Sequence, residues 1–75
     1  MKECKIILSN IQDVRSFVNE VILLDYDVDL VQGRYVIDAK SIMGIFSLDL
    51  LSPITVVCHT DSAVAFFEKL EKYMA

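Results

Sequence analysis

Asp38-Ala39-Lys40-Ser41-Ile42-Met43-Gly44-Ile45-Phe46-Ser47-Leu48-Asp49-Leu50-Leu51 reads as a short helix with its approaches. Ser41 suits the amino-terminal cap, where its hydroxyl can accept a hydrogen bond from a free backbone N–H, an interaction worth about 1 kcal/mol. The apolar positions that follow outnumber those that one face of so short a helix can bury. With Ile45, Leu48 and Leu51 turned into a core, Met43 and Phe46 are left at the edge or in water. Gly44 costs about 1 kcal/mol relative to alanine in a helix, which suggests close approach by a neighbouring backbone or a partner. Ser52-Pro53 then ends the helix, since the residue before a proline is driven out of helical geometry. Two readings stay open for the surplus apolar groups: a docking surface beside a capped helix end, or a fully buried helix whose Met43 and Phe46 fill core.

Upstream, Cys4 to Leu8 reads as a strand with Cys4, Ile6 and Leu8 on one face. Ser9 or Asn10 starts a helix, and Ser9-x-x-Gln12 has the form of a capping box. Ile11, Val14, Val18, Val21 and Ile22 form one apolar stripe with Phe17 alongside, opposite Arg15, Ser16, Asn19 and Glu20. Tyr26 to Val31 alternates apolar with acidic residues, a half-buried strand, and Gln32-Gly33-Arg34 turns it back into Tyr35–Asp38 as a hairpin. Downstream, Ile54 to His59 is a strand with Ile54, Val56 and Cys58 on one face. Thr60 or Asp61 is placed to cap a last helix lined by Ala63, Phe66, Phe67, Leu70 and Met74. The order is βαββαβα, and its simplest packing is an α+β open-faced two-layer sandwich: a four-stranded antiparallel sheet with three helices on one face.

Composition narrows the function classes. Seventy-five residues are read as one domain, 1–75, that buries a little over ~60% of its unfolded surface. A formal net charge of −4 with seven scattered basic residues argues against nucleic acid and against an anionic membrane as partners. No apolar run approaches the ~18 residues of a membrane span. The opening Met-Lys-Glu-Cys-Lys leads into a strand rather than a signal peptide, so a cytoplasmic location is expected. Cys4 and Cys58 fit neither a disulfide framework nor a zinc pattern and are read as reduced core residues. Asp25-Tyr26-Asp27-Val28-Asp29 resembles the start of a calcium loop, but Leu30 stands where glycine is needed and Val36 where the bidentate glutamate is needed. No metal, cofactor or catalytic residue set is expected.

Lys40-Ser41-Ile42-Met43-Gly44-Ile45-Phe46-Ser47-Leu48 resembles the Lys-Ser-Ile-Met-Gly-Val-Met-Ser-Leu segment of HPr, the small phosphocarrier of the bacterial sugar phosphotransferase system, in its form from low-GC Gram-positive bacteria. The order of elements is similar over nearly the whole chain. The resemblance implies the strand order 1-4-2-3, which would make Cys4 and Cys58 unbonded neighbours. It also implies a regulatory phosphorylation site at Ser41, modified by an ATP-dependent HPr kinase. Ile42, Met43 and Phe46 would be a patch that docks protein partners, among them that kinase or a transcriptional regulator of catabolite repression.

The carrier chemistry of the family needs a histidine at the start of the first helix, in a segment like Gly-Ile-His-Ala-Arg-Pro-Ala. A neutral imidazole attacks the phosphoryl donor, and helix-end N–H groups with an arginine hold the phosphate. The matching stretch here is Ser9-Asn10-Ile11-Gln12-Asp13-Val14-Arg15-Ser16-Phe17-Val18, without histidine, Arg-Pro or glycine. Gln12 can be slid onto the histidine position, as in the catabolite-repression paralogue of HPr that carries glutamine there, with Arg15 close by. An amide has no basic lone pair to offer phosphorus, and Asp13 adds negative charge where a phosphate would sit. The sole histidine, His59, is expected on the surface at the far end of the domain. The resulting expectation is a protein-binding or regulatory module rather than an enzyme. The alternatives are a carrier using another residue such as His59, or a structural homodimer closed through the central helix.

Overall fold

Alternation decides which strands bury which side chains, and hydrogen bonding decides their order. A computed structural model describes residues 1–74. Along the chain lie β1 (Lys2–Ile6), α1 (Ile11–Ile22), β2 (Val28–Gln32), β3 (Tyr35–Asp38), α2 (Ile42–Phe46), β4 (Ile54–Cys58) and α3 (Val64–Lys69), followed by a 3₁₀ turn over Glu71–Tyr73. The four strands form one antiparallel sheet in the order β1-β4-β2-β3. This is the βαββαβα open-faced sandwich, with the strand order that the resemblance implies. Gly33 takes φ +58° at the hairpin tip, the one positive φ among the described residues, as a two-residue turn between β2 and β3 requires.

The core lies between the helices and one face of the sheet. Ile6, Leu30, Ile54, Val56 and Cys58 on that face are wholly buried against Val14, Phe17, Val18 and Val21 of α1 and Phe66 and Leu70 of the α3 region. The rings of Phe17 and Phe66 meet at 6.2 Å between centroids, tilted by 41°, and tie α1 to α3. At the surface of the same helix pair, Lys69 Nζ lies 3.3 Å from Glu20 Oε2. Cys4 and Cys58 face the same side from β1 and β4, offset by two residues in register, and both are free thiols.

Four local expectations are corrected. Ile11 and Ile22 are exposed, so the buried stripe of α1 is Val14-Phe17-Val18-Val21, narrower and centred on Phe17. The cap of α1 is Asn10, whose Oδ1 accepts from the Asp13 N–H at 2.8 Å, while Asp13 Oδ2 accepts from the Ser9 N–H at 3.1 Å. The capping pair is therefore Asn10-x-x-Asp13, one residue later than Ser9-x-x-Gln12, with the Asp13 carboxylate reaching past the cap to the residue before it. Neither Thr60 nor Asp61 caps α3: Thr60 Oγ1 turns to the backbone of Ser62, and Ala63 holds the cap position without a side-chain bond. Finally, α3 stops at Lys69 and the chain tightens into the 3₁₀ turn, which buries Tyr73 and leaves Met74 half exposed beside Ile6.

Burial pushes the Cys58 thiol up from 9.0 to about 11, with nearby Cys4 adding to the rise, and burial raises Cys4 as well. A raised thiol favours folding while it is protonated. The contribution of Cys58 is thus complete below pH 9.0 and is lost as pH climbs through about 11. Chemical denaturation should show stability falling by on the order of 2 kcal/mol between pH 8 and 11 from this group, and Cys58→Val should remove most of that alkaline loss.

Candidate functional site

The helix α2 is shorter than its sequence promises, and the reason is polar. Ser41 Oγ accepts from the Gly44 N–H at 3.1 Å and opens the helix. At the other end Ser47 turns its hydroxyl back onto the Gly44 carbonyl, and the helix closes at Phe46, well before Pro53. Asp49 then takes over the chain: its carboxylate accepts from the Leu51 N–H at 3.0 Å and from Ser52 Oγ at 2.9 Å. An Asx turn of this kind competes directly with helical geometry. Its consequence is a correction: Leu51 is 92% exposed instead of continuing the buried row, which consists of Ile45 and Leu48 with Leu50 packed alongside.

The loop after α2 is fixed from the sheet. Gln32, at the end of β2, donates through Nε2 to the Asp49 carbonyl and accepts through Oε1 from the Asp49 N–H, each at 2.8 Å. The sequence placed Gln32 in a turn and Asp49 in a helix; the only hint of their partnership is that Gln32 continues the inward parity of Val28 and Leu30. Gly44 is closely approached, though by side chains rather than backbone. A Cβ there would stand 2.9 Å from Ser41 Oγ and 3.2 Å from Ile37 Cδ1.

Held in this way, α2 presents apolar groups outward. Met43 is 80% exposed, and Ile42 and Phe46 are each partly so. Ser41 is exposed at the amino end of the helix, next to exposed Lys40.

The register places the other candidates. Ile6, which leads into the β1–α1 corner, lies opposite Ile54, and the Gln32 end of β2 lies at the same end of the sheet. The corner and the carboxyl end of α2 thus share one end of the domain. Gln12 and Arg15 are exposed on the first turns of α1, and neither side chain has a hydrogen-bond or ion-pair partner among the described residues. The anion-attracting start of α1 is partly occupied by the chain's own carboxylate, since Asp13 sits in the first turn and accepts from the Ser9 N–H.

His59 lies at the opposite end, just beyond the pairing of Cys58 with Lys2 and Val28. Five strand residues separate its level from that of Ile54, roughly 17 Å at the usual rise. It faces the open side of the sheet, where its Nε2 lies 2.8 Å from Asp29 Oδ2. Among the described residues no cluster of three His, Cys, Asp or Glu side chains could hold a metal ion, and no helix is long and apolar enough to cross a membrane.

Two solved structures place this geometry among known proteins. The chain superposes on HPr-C-His from Thermoanaerobacter tengcongensis with a TM-score of 0.76 at 24% identity, covering 96% of this chain and 89% of that one. It superposes on the phosphocarrier protein HPr from Bacillus anthracis str. Ames with a TM-score of 0.71 at 28% identity, covering 99% of this chain and 94% of that one. No family model and no curated protein matches the sequence. The fold is HPr-like.

The tight seat of Gly44 yields a double-mutant test. Alanine there gains about 1 kcal/mol of helix propensity but drives the Ser41 hydroxyl off its cap, which costs about as much. Gly44→Ala should therefore fail to stabilise the wild-type chain and should be better tolerated in the Ser41→Ala variant, where only the Ile37 Cδ1 and residue-41 Cβ contacts at 3.2 and 3.3 Å remain, when both pairs are compared by urea denaturation.

Proposed function

We propose that this chain, as one HPr-like domain spanning 1–75, is a cytoplasmic protein-binding or regulatory module related to the sugar phosphotransferase system, and not an enzyme. The observation that carries this reading is the outward apolar surface of α2, Ile42, Met43 and Phe46, on a helix pinned at both ends by side-chain hydrogen bonds. A pinned helix loses little freedom when a partner covers it, so more of the burial energy appears as affinity. The partner is a protein, with HPr kinase or a transcriptional regulator as the candidates. Ser41 is the regulatory phosphorylation site in this reading, its exposed hydroxyl standing next to that surface.

The β1–α1 corner supports a loss of carrier chemistry. Asn10, Ile11 and Gln12 supply no imidazole, and the Asp13 carboxylate sits in the first turn of α1, where it opposes a second anion. Gln12 and Arg15 then remain as surface residues near the position of the lost phosphocarrier site.

A second reading, phosphotransfer through His59, is favoured by one contact. With its proton on Nε2 and donated to Asp29, the ring keeps a free lone pair on Nδ1. Against it, Asp27 and Asp29 crowd that end of the open face with negative charge, which repels a phosphoryl donor.

Incubation with phosphoenolpyruvate and enzyme I, and separately with HPr kinase and ATP, distinguishes these readings by phosphopeptide mass spectrometry. The expected result is no acid-labile phosphate and acid-stable phosphate on Ser41; acid-labile phosphate on His59 would establish the second reading instead. Titration of HPr kinase against Met43→Ser and Phe46→Ser should show affinity lowered about tenfold or more by each, with the circular dichroism spectrum unchanged.

A further inference from the structure

The two edges of the sheet are finished differently. At the β1 edge the Ile7 N–H donates to the Tyr73 carbonyl at 2.7 Å and Met74 bridges Ile6, so the end of the chain covers part of that strand. Lys2, Glu3 and Lys5 put charges along the remainder. Both devices discourage pairing with another strand. The β3 edge is uncovered, and its charges, Arg34 and Asp38, flank its apolar centre instead of interrupting it. Its sequence is Tyr35-Val36-Ile37-Asp38, without lysine, proline or bulge, and Tyr35 and Val36 are 63% and 64% exposed.

The free hydrogen-bonding groups of this edge can be assigned. The Ala39 N–H donates to the Val28 carbonyl at 2.9 Å. In an antiparallel ladder successive residues alternate between facing the partner strand and facing away. The odd-numbered residues of β3 therefore bond to β2, and the N–H and C=O of Val36 point to the empty side.

Charge identifies what fits there. Asp38 lies directly opposite Asp29 in the β2–β3 register, a like-charge pair across the strands. Asp29 has His59 Nε2 as a side-chain partner at 2.8 Å, whereas Asp38 Oδ1 accepts from the Lys40 backbone N–H at 2.8 Å and has no ion-pair partner among the described residues. Arg34, four positions before Asp38, likewise has no carboxylate partner. In an antiparallel pairing of the strand with itself centred on Val36, Arg34 stands opposite Asp38 of the copy and Tyr35 opposite Ile37. The same charge pair recurs on the other side of the two-fold, as an isologous contact demands.

We propose that β3 is a self-association edge, on which a second copy of this chain pairs antiparallel about Val36 to form one continuous eight-stranded sheet. Each Val36 exchanges both of its outward backbone bonds with its counterpart, and each Arg34 guanidinium meets an Asp38 carboxylate that has no ion-pair partner in its own chain among the described residues. The contact is small and polar at its rim, so the dimer is weak and reversible, in the ~0.1–1 mM range of chain concentration. It does not involve the outward face of α2.

Sedimentation equilibrium tests this directly. The wild-type chain should approach twice its 8.5 kDa mass as concentration rises, and Val36→Pro should raise the dissociation constant about tenfold or more by deleting the two central bonds. Proline is tolerated on an edge whose N–H faces solvent, so the variant should stay folded. Arg34→Asp and Asp38→Arg should each be monomeric alone, and an equimolar mixture of the two should dimerise, because every cross-strand pair is then of opposite sign. Met43→Ser and Phe46→Ser should dimerise as the wild type does. A monomer at every concentration up to about 1 mM, a dimer that survives Val36→Pro, a mixture that stays monomeric, or a dimer lost with the α2 variants would each overturn the proposal.

Discussion

The strand that arrives last among the four is the one on which the others depend. β4 lies between β1 and β2, and β1 has no other strand neighbour in the sheet. Its inward residues Ile54, Val56 and Cys58 are wholly buried, so its register is fixed by the core: a shift of one residue would turn all three outward. That register also depends on where the preceding loop delivers the chain, and Gln32 holds this loop at Asp49 from within β2. The pairing of residues near the amino end with residues beyond position 54 closes a long loop, whose entropy must be overcome before the sheet is complete. The local hairpin β2–β3 and the helix α1 carry no such penalty.

The two faces of the sheet divide the work. The helix-covered face is apolar, with the two thiols at its β1–β4 end held neutral by burial. The open face mixes Val31, Val36 and Val57 with Glu3, Lys5, Asp29, Asp38 and His59. There the cross-strand charges are unevenly matched, and the His59–Asp29 contact compensates only one member of the Asp29–Asp38 pair. On the helix-covered side, Ser41 caps α2, Gln32 holds the loop that follows it, and Ile45 and Leu48 are its inward anchors.

What was legible in the sequence follows from periodicity. The 3.6-residue stripe of Val14, Val18 and Val21 and the alternation of Ile54, Val56 and Cys58 give the elements and their faces, and the segment Lys40 to Leu48 gives the resemblance. The Ser41 cap was also readable, because serine ahead of an apolar run has few better places. What was not legible depends on tertiary partners. Leu51 fits the inward row by spacing, yet the helix closes at Phe46 and the Asp49 turn redirects the chain before Leu51 is reached. Asn10 and Ser9 are equally good caps by composition, and the partner Asp13 decides between them only once the corner is built. Thr60 lost the α3 cap to its own local turn. The exposure of Met43 could be offered only as one of two readings, since no pattern within five helical residues says which neighbours lie above them.

The Gln32 clamp touches only main-chain atoms, the N–H and carbonyl of Asp49 and the carbonyl of Pro53. It therefore does not sense which side chains α2 carries, although it is sensitive to how many residues lie between β3 and β4. Recognition on this helix can drift by substitution at Ile42, Met43 or Phe46 with the scaffold unmoved, while a one-residue insertion or deletion between Asp49 and Ile54 would pull the clamp out of step with the strand that follows. The fold thus separates two evolutionary freedoms: specificity is open to change, and segment length is not.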